Sequence, residues 1–166
     1  MTEVFNEIDA LTDGITEAEL PTTVCFVCSG NTCRSPMAEA VLNYLGKGAY
    51  RAVSAGTCAC DGDGITENAA LALERAEIPS VPPHDYRNHR SRSITFSDIA
   101  NADMIVCMTS RHALQLISAF PEYAEKIRTM PEEIPDPFMY GEAVYDRCLE
   151  MITDGIRELF PTVSEQ

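Results

Sequence analysis

The sequence predicts an α/β fold, one domain built on a parallel sheet with a ligand-binding loop after its first strand. Three observations carry that prediction. The chain has 166 residues, 45% of them hydrophobic and 23% charged, a size and composition at which a single core buries roughly 70% of the unfolded surface. Short β-branched apolar runs alternate with longer amphipathic stretches, as parallel strands joined by helical crossovers require. The first such run ends in turn-forming residues directly ahead of a helix signal.

The elements follow in order. Residues 1–20 carry six acidic and no basic side chains, with Phe5, Ile8, Leu11, Ile15 and Leu20 spaced for one or two helical turns, and read as an acidic extension to a domain spanning 21–166. The run from Thr22 to Cys28 is β-branched and continuously apolar, the pattern of a central strand buried on both faces. Pro36 suits a first helical turn, Met37, Ala40, Val41, Tyr44 and Leu45 fall at helical spacing, and Gly46 and Gly48 suit the helix end. Tyr50–Ser54 is a short strand, a glycine-rich loop runs through Gly64, and a helix spans about Thr66 to Glu77 before Pro79. The stretch from Val81 to Ser93 reads as irregular. Asp103–Met108 and Ile127–Met130 complete the strands, with helices at Ser110–Phe120 and Glu142–Phe160, the last amphipathic through Val144, Cys148, Met151, Ile152, Ile156 and Leu159.

Charge and cysteine usage exclude several classes. Twelve basic against 26 acidic residues leave a net charge of −14, which repels nucleic-acid phosphates and anionic lipid over most of the surface. An anionic substrate therefore needs a local positive site, which makes each arginine informative. Seven cysteines, an odd number, suit reduced thiols better than a disulfide framework at this length. The acidic N-terminus does not resemble a signal peptide and no apolar run reaches membrane-span length, so the expectation is a cytoplasmic protein without nucleic-acid or membrane partners.

The chemistry concentrates in the loop from Cys28 to Ser35. Gly30 and Asn31 are residue types that tolerate positive φ, so the backbone can curl its N–H groups inward as an anion nest, reinforced by the following helix dipole. A cysteine at the mouth of that nest gains thiolate stabilisation from the same donors and from Arg34, and becomes a nucleophile. The planar fork of Arg34, six positions on, can grip two phosphate oxygens. The spacing alone arises easily by chance, and the bland reading is a structural Cys28 beside a surface Arg34. The order of strand, Gly-Asn turn, Arg-Ser-Pro and helix favours chemistry. Cleaving a phosphate ester with a thiolate also calls for a carboxylate to protonate the leaving group and then activate water, and Asp136 on a Pro-stiffened loop suits that role, although Asp-Pro by itself is usually just a turn.

The run from Val27 to Glu39 resembles the signature of low-molecular-weight protein tyrosine phosphatases, and the resemblance extends from about Thr22 to Phe160. Ser54-Ala-Gly56, the run His89 to Arg92, Ala102-Asp103 with Cys107-Met108, and Asp136-Pro-Phe138 recur in family order. The resemblance implies a four-stranded parallel sheet flanked by helices and a phosphatase domain over 21–166. It implies Cys28 as the nucleophile forming a phosphocysteine, Arg34 as the phosphate clamp, Ser35 as the hydroxyl facing the thiolate, and Asp136 as general acid. Ser29, Gly30, Asn31, Thr32, Cys33 and Ser35 of the loop, with Phe138 as an aromatic wall and Tyr140 as another, are the expected substrate contacts. Asn31, Ser35, Ser54 and His89 match residues that hold the loop from beneath, and Cys33 matches a position able to form a reversible disulfide with Cys28. The implied partners are a phosphorylated protein substrate and inorganic phosphate or vanadate as product or inhibitor, for a monomer with no cofactor and no metal.

Some positions depart from the family pattern. Thr32 stands where tyrosine-specific members commonly carry a bulky apolar residue and matches the related bacterial protein-arginine phosphatases, so phosphoarginine is the alternative substrate to phosphotyrosine. Thr109 replaces a frequent Asp, and Cys60 appears at a position that often bears an aromatic. An arsenate reductase relay through Cys107 lacks a close partner cysteine, a catalytically silent phosphate binder conflicts with the intact Cys28, Arg34 and Asp136, and a zinc knuckle from Cys25, Cys28, Cys58 and Cys60 lacks a turn between its first two members. His84 and His112 read as surface residues.

Overall fold

The computed structural model describes residues 20–164; the acidic segment before Leu20 lies outside them. Four strands, β1 (Thr22–Cys28), β2 (Tyr50–Gly56), β3 (Met104–Cys107) and β4 (Ile127–Thr129), form one sheet in the order β2-β1-β3-β4 with every pairing parallel. The helices are α1 (Arg34–Leu45), α2 (Glu67–Arg75), α3 (Phe96–Asn101), α4 (Ser110–Ala119), α5 (Glu142–Leu159) and α6 (Pro161–Ser164), with 3-10 turns at Tyr86–Asn88 and Pro121–Lys126.

β1 is central, and its alternating side chains feed two cores, as a period of two dictates. Val24, Phe26 and Cys28 pack into the larger core beneath α1, α2 and α5, while Cys25 and Val27 pack into the smaller one with Ile99, Ile105, Ala113 and Leu116. Full burial of Phe26, Met37 and Leu42 contributes about 1.5–3 kcal/mol each. The same alternation separates Cys25 from Cys28 across the sheet, which a zinc knuckle could not tolerate. It also puts Cys107 in the opposite core from Cys28, where burial pushes its thiol up to about 12; this removes the relay reading of Cys107.

Several boundaries differ from the sequence expectation. β2 runs on to Gly56 because its pairing with β1 continues to Cys28↔Gly56. The unassigned stretch after Ser93 contains α3, started by a full capping box between Thr95 and Asp98, a signature present in the sequence but followed by only six helical residues. Arg92 ties this helix down through Asp98 at 2.7 Å.

Candidate active site

Every loop that follows a strand gathers at the carboxyl edge of the sheet, and there the loop after β1 forms an open pocket of about 300 Å³. Cys28 to Arg34 line it together with Cys58, Asp136 and Phe138. A larger groove of about 700 Å³ runs between α1, α2 and α5, but it holds no nucleophile. Cys58, not Cys60, is the cysteine of the rim.

Asn31 shapes the loop. Its φ of 56° lies in the left-handed region that asparagine tolerates better than most residues; Gly30, expected to share that conformation, does not. The turn brings the Asn31 N–H to 3.3 Å from Cys28 Sγ, and its side-chain amide donates to Ser35 Oγ at 2.9 Å and to Ser54 Oγ at 3.0 Å. The Arg92 N–H donates to Asn31 Oδ1 at 3.0 Å, which fixes the amide orientation, and the Asn31 carbonyl accepts from His89 Nε2 at 2.7 Å. Ser54 passes its own hydrogen to the Glu39 carboxylate. Each hydroxyl is thus supplied with a donor on one side, and Ser35 Oγ lies 2.9 Å from Cys28 Sγ on the other. The amides of Gly30, Thr32, Cys33 and Arg34 make no hydrogen bond among the described residues, so they remain available as donors.

Electrostatics are divided by depth. Burial raises the Glu39 carboxyl above its ordinary value, against the Ser54 hydrogen bond and the Arg92 charge. Burial likewise lowers His89, with the Asn31 carbonyl opposing; since a carbonyl only accepts, the Nε2 hydrogen is present. Arg34 is 5% exposed, donates from Nη1 to the Ile134 carbonyl at 3.0 Å, and approaches Asp136 Oδ2 at 3.7 Å. The Asp136 side chain is 56% exposed and accepts the Phe138 N–H at 3.1 Å. A thiol, a buried cation and an accessible carboxylate therefore border one pocket.

Most of the expected residues meet here, with some displaced. Ser35, expected among the substrate contacts, lies behind the sulfur and fully buried. Cys33 lines the pocket, yet its sulfur rests against the hydroxyls of Thr66 and Tyr145, each at 3.4 Å. Tyr140 is exposed and absent from the lining. His112, expected on the surface, is 3% exposed and bonded through Nε2 to Ser29 Oγ at 2.8 Å and through Nδ1 to Thr109 Oγ1 at 3.0 Å. Its signal was local: Thr109, three positions ahead, caps α4 by accepting the His112 N–H. Glu39, Arg92 and Tyr145 also belong to the site, and nothing in their spacing along the chain reveals contacts made across elements.

Comparison with known proteins adds an independent line. Residues 23–166 match the model of the low molecular weight phosphotyrosine protein phosphatase family. A protein-arginine-phosphatase of Geobacillus stearothermophilus is 31% identical over 86% of this chain and 99% of its own length. A low molecular weight protein-tyrosine-phosphatase of Streptomyces coelicolor is 31% identical over 86% of this chain and 94% of its own. The crystal structure of the low molecular weight protein tyrosine phosphatase from T. tengcongensis superposes with a TM-score of 0.78 at 33% identity, covering 85% of this chain and 99% of that one.

Proposed function

The chain belongs to the low molecular weight phosphotyrosine protein phosphatase family, and on that premise we propose that it hydrolyses phosphotyrosine in proteins through a phosphocysteine on Cys28. The observation that carries this reading is the set of hydrogen bonds converging on the Cys28 sulfur, from the Asn31 N–H at 3.3 Å and from Ser35 at 2.9 Å, in a pocket shared with Arg34 and Asp136.

In the first step the Cys28 thiolate attacks phosphorus while the phosphorus–oxygen ester bond breaks. The Asp136 carboxyl gives its proton to the departing phenoxide. Arg34 keeps Nη1 on the Ile134 carbonyl and offers its remaining donors to two phosphoryl oxygens, while the free loop amides take the rest of the developing charge. In the second step the Asp136 carboxylate takes a proton from water, the oxygen attacks phosphorus, and the sulfur–phosphorus bond breaks. Its electron pair returns to sulfur, where Ser35 and Asn31 donate to the thiolate that reforms. Inorganic phosphate is the product, and vanadate mimics it as an inhibitor. Free thiols at all seven cysteines suit action in the cytoplasm.

Phosphoarginine is the second reading. It is favoured by Thr32 and Cys58 in the pocket lining, with Phe138 as the single aromatic wall, and by the relative named a protein-arginine-phosphatase. A planar polar guanidinium needs less apolar enclosure than a phenyl ring. Side-by-side turnover of phosphotyrosine and phosphoarginine peptides decides between them. Phosphotyrosine turnover at a higher kcat/KM is the expected result; turnover confined to phosphoarginine makes the second reading the function, and no turnover of either, or of p-nitrophenyl phosphate, overturns both.

A further inference from the structure

His112 joins two residues of different elements. Its Nε2 meets the hydroxyl of Ser29, which directly follows Cys28 and lines the pocket, and its Nδ1 meets the hydroxyl of Thr109 at the start of α4. Burial, then the charges of Arg34 and Arg111, push the imidazole down to about 4, so near neutrality it carries one ring hydrogen. Asp136 and Glu133 also face it and oppose that shift without reversing it. The Glu133 carboxylate is held by the Ser110 N–H at 3.0 Å.

Two positions of the ring hydrogen satisfy both ring nitrogens. Thr109 Oγ1 already accepts the His112 backbone N–H at 3.4 Å, and its hydroxyl hydrogen has no acceptor other than His112 Nδ1 among the described residues. Giving that hydrogen to Nδ1 puts the ring hydrogen on Nε2, which then donates to Ser29 Oγ. The reverse tautomer takes the Ser29 hydrogen on Nε2 and leaves the Thr109 hydrogen without a protein acceptor among the described residues instead, so each arrangement frees one hydroxyl hydrogen, and an anion bound over Cys28 favours the one that frees the hydrogen of Ser29. With Ser29 Oγ accepting from Nε2, the Ser29 hydrogen has no protein acceptor among the described residues.

We propose that the Thr109–His112 pair is a positioning device that turns the Ser29 hydroxyl into a donor for a phosphoryl oxygen bound over Cys28. Ser29 is the group that touches substrate; His112 acts through it, and Thr109 acts through His112. The inference rests on the proposed phosphatase site and adds to the backbone donors one side-chain donor controlled from α4.

A double-variant cycle with p-nitrophenyl phosphate as substrate and inorganic phosphate as inhibitor tests it. Ser29→Ala and His112→Ala each lower kcat/KM by about 10-fold and weaken phosphate inhibition by a similar factor, the usual effect of losing one hydrogen bond to a charged group. The double variant is no worse than either single one. His112→Gln, whose amide N–H takes the place of Nε2–H, restores most of the loss when Ser29 is present and none when it is Ala. Losses that multiply in the double variant, or rescue by Gln without Ser29, overturn the inference. If His112→Ala does not fold, Thr109→Val replaces it in the cycle with Thr109→Ser as its rescue, under the same criteria. Wild-type turnover that survives Cys28→Ser removes the underlying site reading; turnover that needs Cys28 while the cycle multiplies removes this inference alone.

Discussion

Asn31 concentrates more of the site than any other single residue. It holds a left-handed backbone, donates to Cys28, Ser35 and Ser54, and accepts from Arg92 and His89. Asn31→Ala keeps the backbone bonds but loses the amide and puts alanine at positive φ, so stability falls by about 2–4 kcal/mol. Released from Asn31, Ser35 also loses its orientation at the sulfur, and kcat falls by roughly 10²-fold. Thermal unfolding and steady-state kinetics check the two separately; a folded variant with wild-type kcat contradicts the role given to the amide. Cys28 and Asp136 separate by leaving group. Cys28→Ser abolishes turnover while phosphate still binds. Asp136→Ala costs about 10²- to 10⁴-fold on phenyl phosphate and far less on aryl esters with acidic leaving groups, and a uniform loss across that series shows that Asp136 positions substrate without donating a proton.

At the scale of elements, the loop after β1 is held from below by the end of β2. A Cβ at Gly56 would overlap the Ser29 carbonyl oxygen and sit 3.0 Å from Ala59 Cβ and 3.2 Å from Asn31 Cβ. The Ser29 carbonyl is fixed in turn by the Cys58 N–H at 3.0 Å, so the obstacle is backbone and cannot swing away. Gly56→Ala therefore displaces the loop, with about 1–3 kcal/mol of destabilisation and a loss of phosphate affinity; unchanged phosphate inhibition in the folded variant would falsify that account. The outer side of the loop is held by the residue that precedes α2, since the Thr66 N–H donates to the Thr32 carbonyl at 2.9 Å. Two elements thus hold a loop whose own sequence is short of apolar anchors.

Across the whole molecule, two properties have measurable consequences. A net charge of −14 opposes approach of an acidic phosphopeptide, and salt screens that repulsion. kcat/KM for peptides with flanking Asp or Glu rises several-fold between low and physiological ionic strength, and falls for peptides with flanking Lys or Arg; salt-independent rates for both would show that the global field is irrelevant at the pocket. Stability also depends on pH through His112, whose value is about 4 in the fold against 6.5 ordinarily. Between those values the unfolded chain binds more protons, so stability drops as pH falls from about 6.5 towards 4, by an amount on the order of 3 kcal/mol. His89 acts in the same direction and Glu39, with its raised value, in the opposite one. Tm measured from pH 7 to pH 4.5 shows a shallower decline in His112→Gln than in wild type, and parallel declines exclude His112 as the source.

The sequence by itself determined the alternation of strands and helices and the loop from Cys28 to Ser35, with Cys28 at its start and Arg34 near its end. All of these are encoded by neighbours: β-branched runs make strands, Pro36 opens a helix, and a Gly-Asn turn lies between them. It also contained the family resemblance, through Asp136 and the residues around His89. Only the tertiary structure decided what those pieces touch. That Asp136 comes within 3.7 Å of Arg34, that Glu39 closes the chain of hydroxyls beneath Asn31, and that Ser35 stands behind the sulfur while Cys58 forms the rim depend on strands and loops far apart in the chain. His112 makes the division plain. Its helix position was legible from Thr109, but its burial was not, because a polar residue becomes buried only where distant partners satisfy both ring nitrogens, and Ser29 lies 83 positions away.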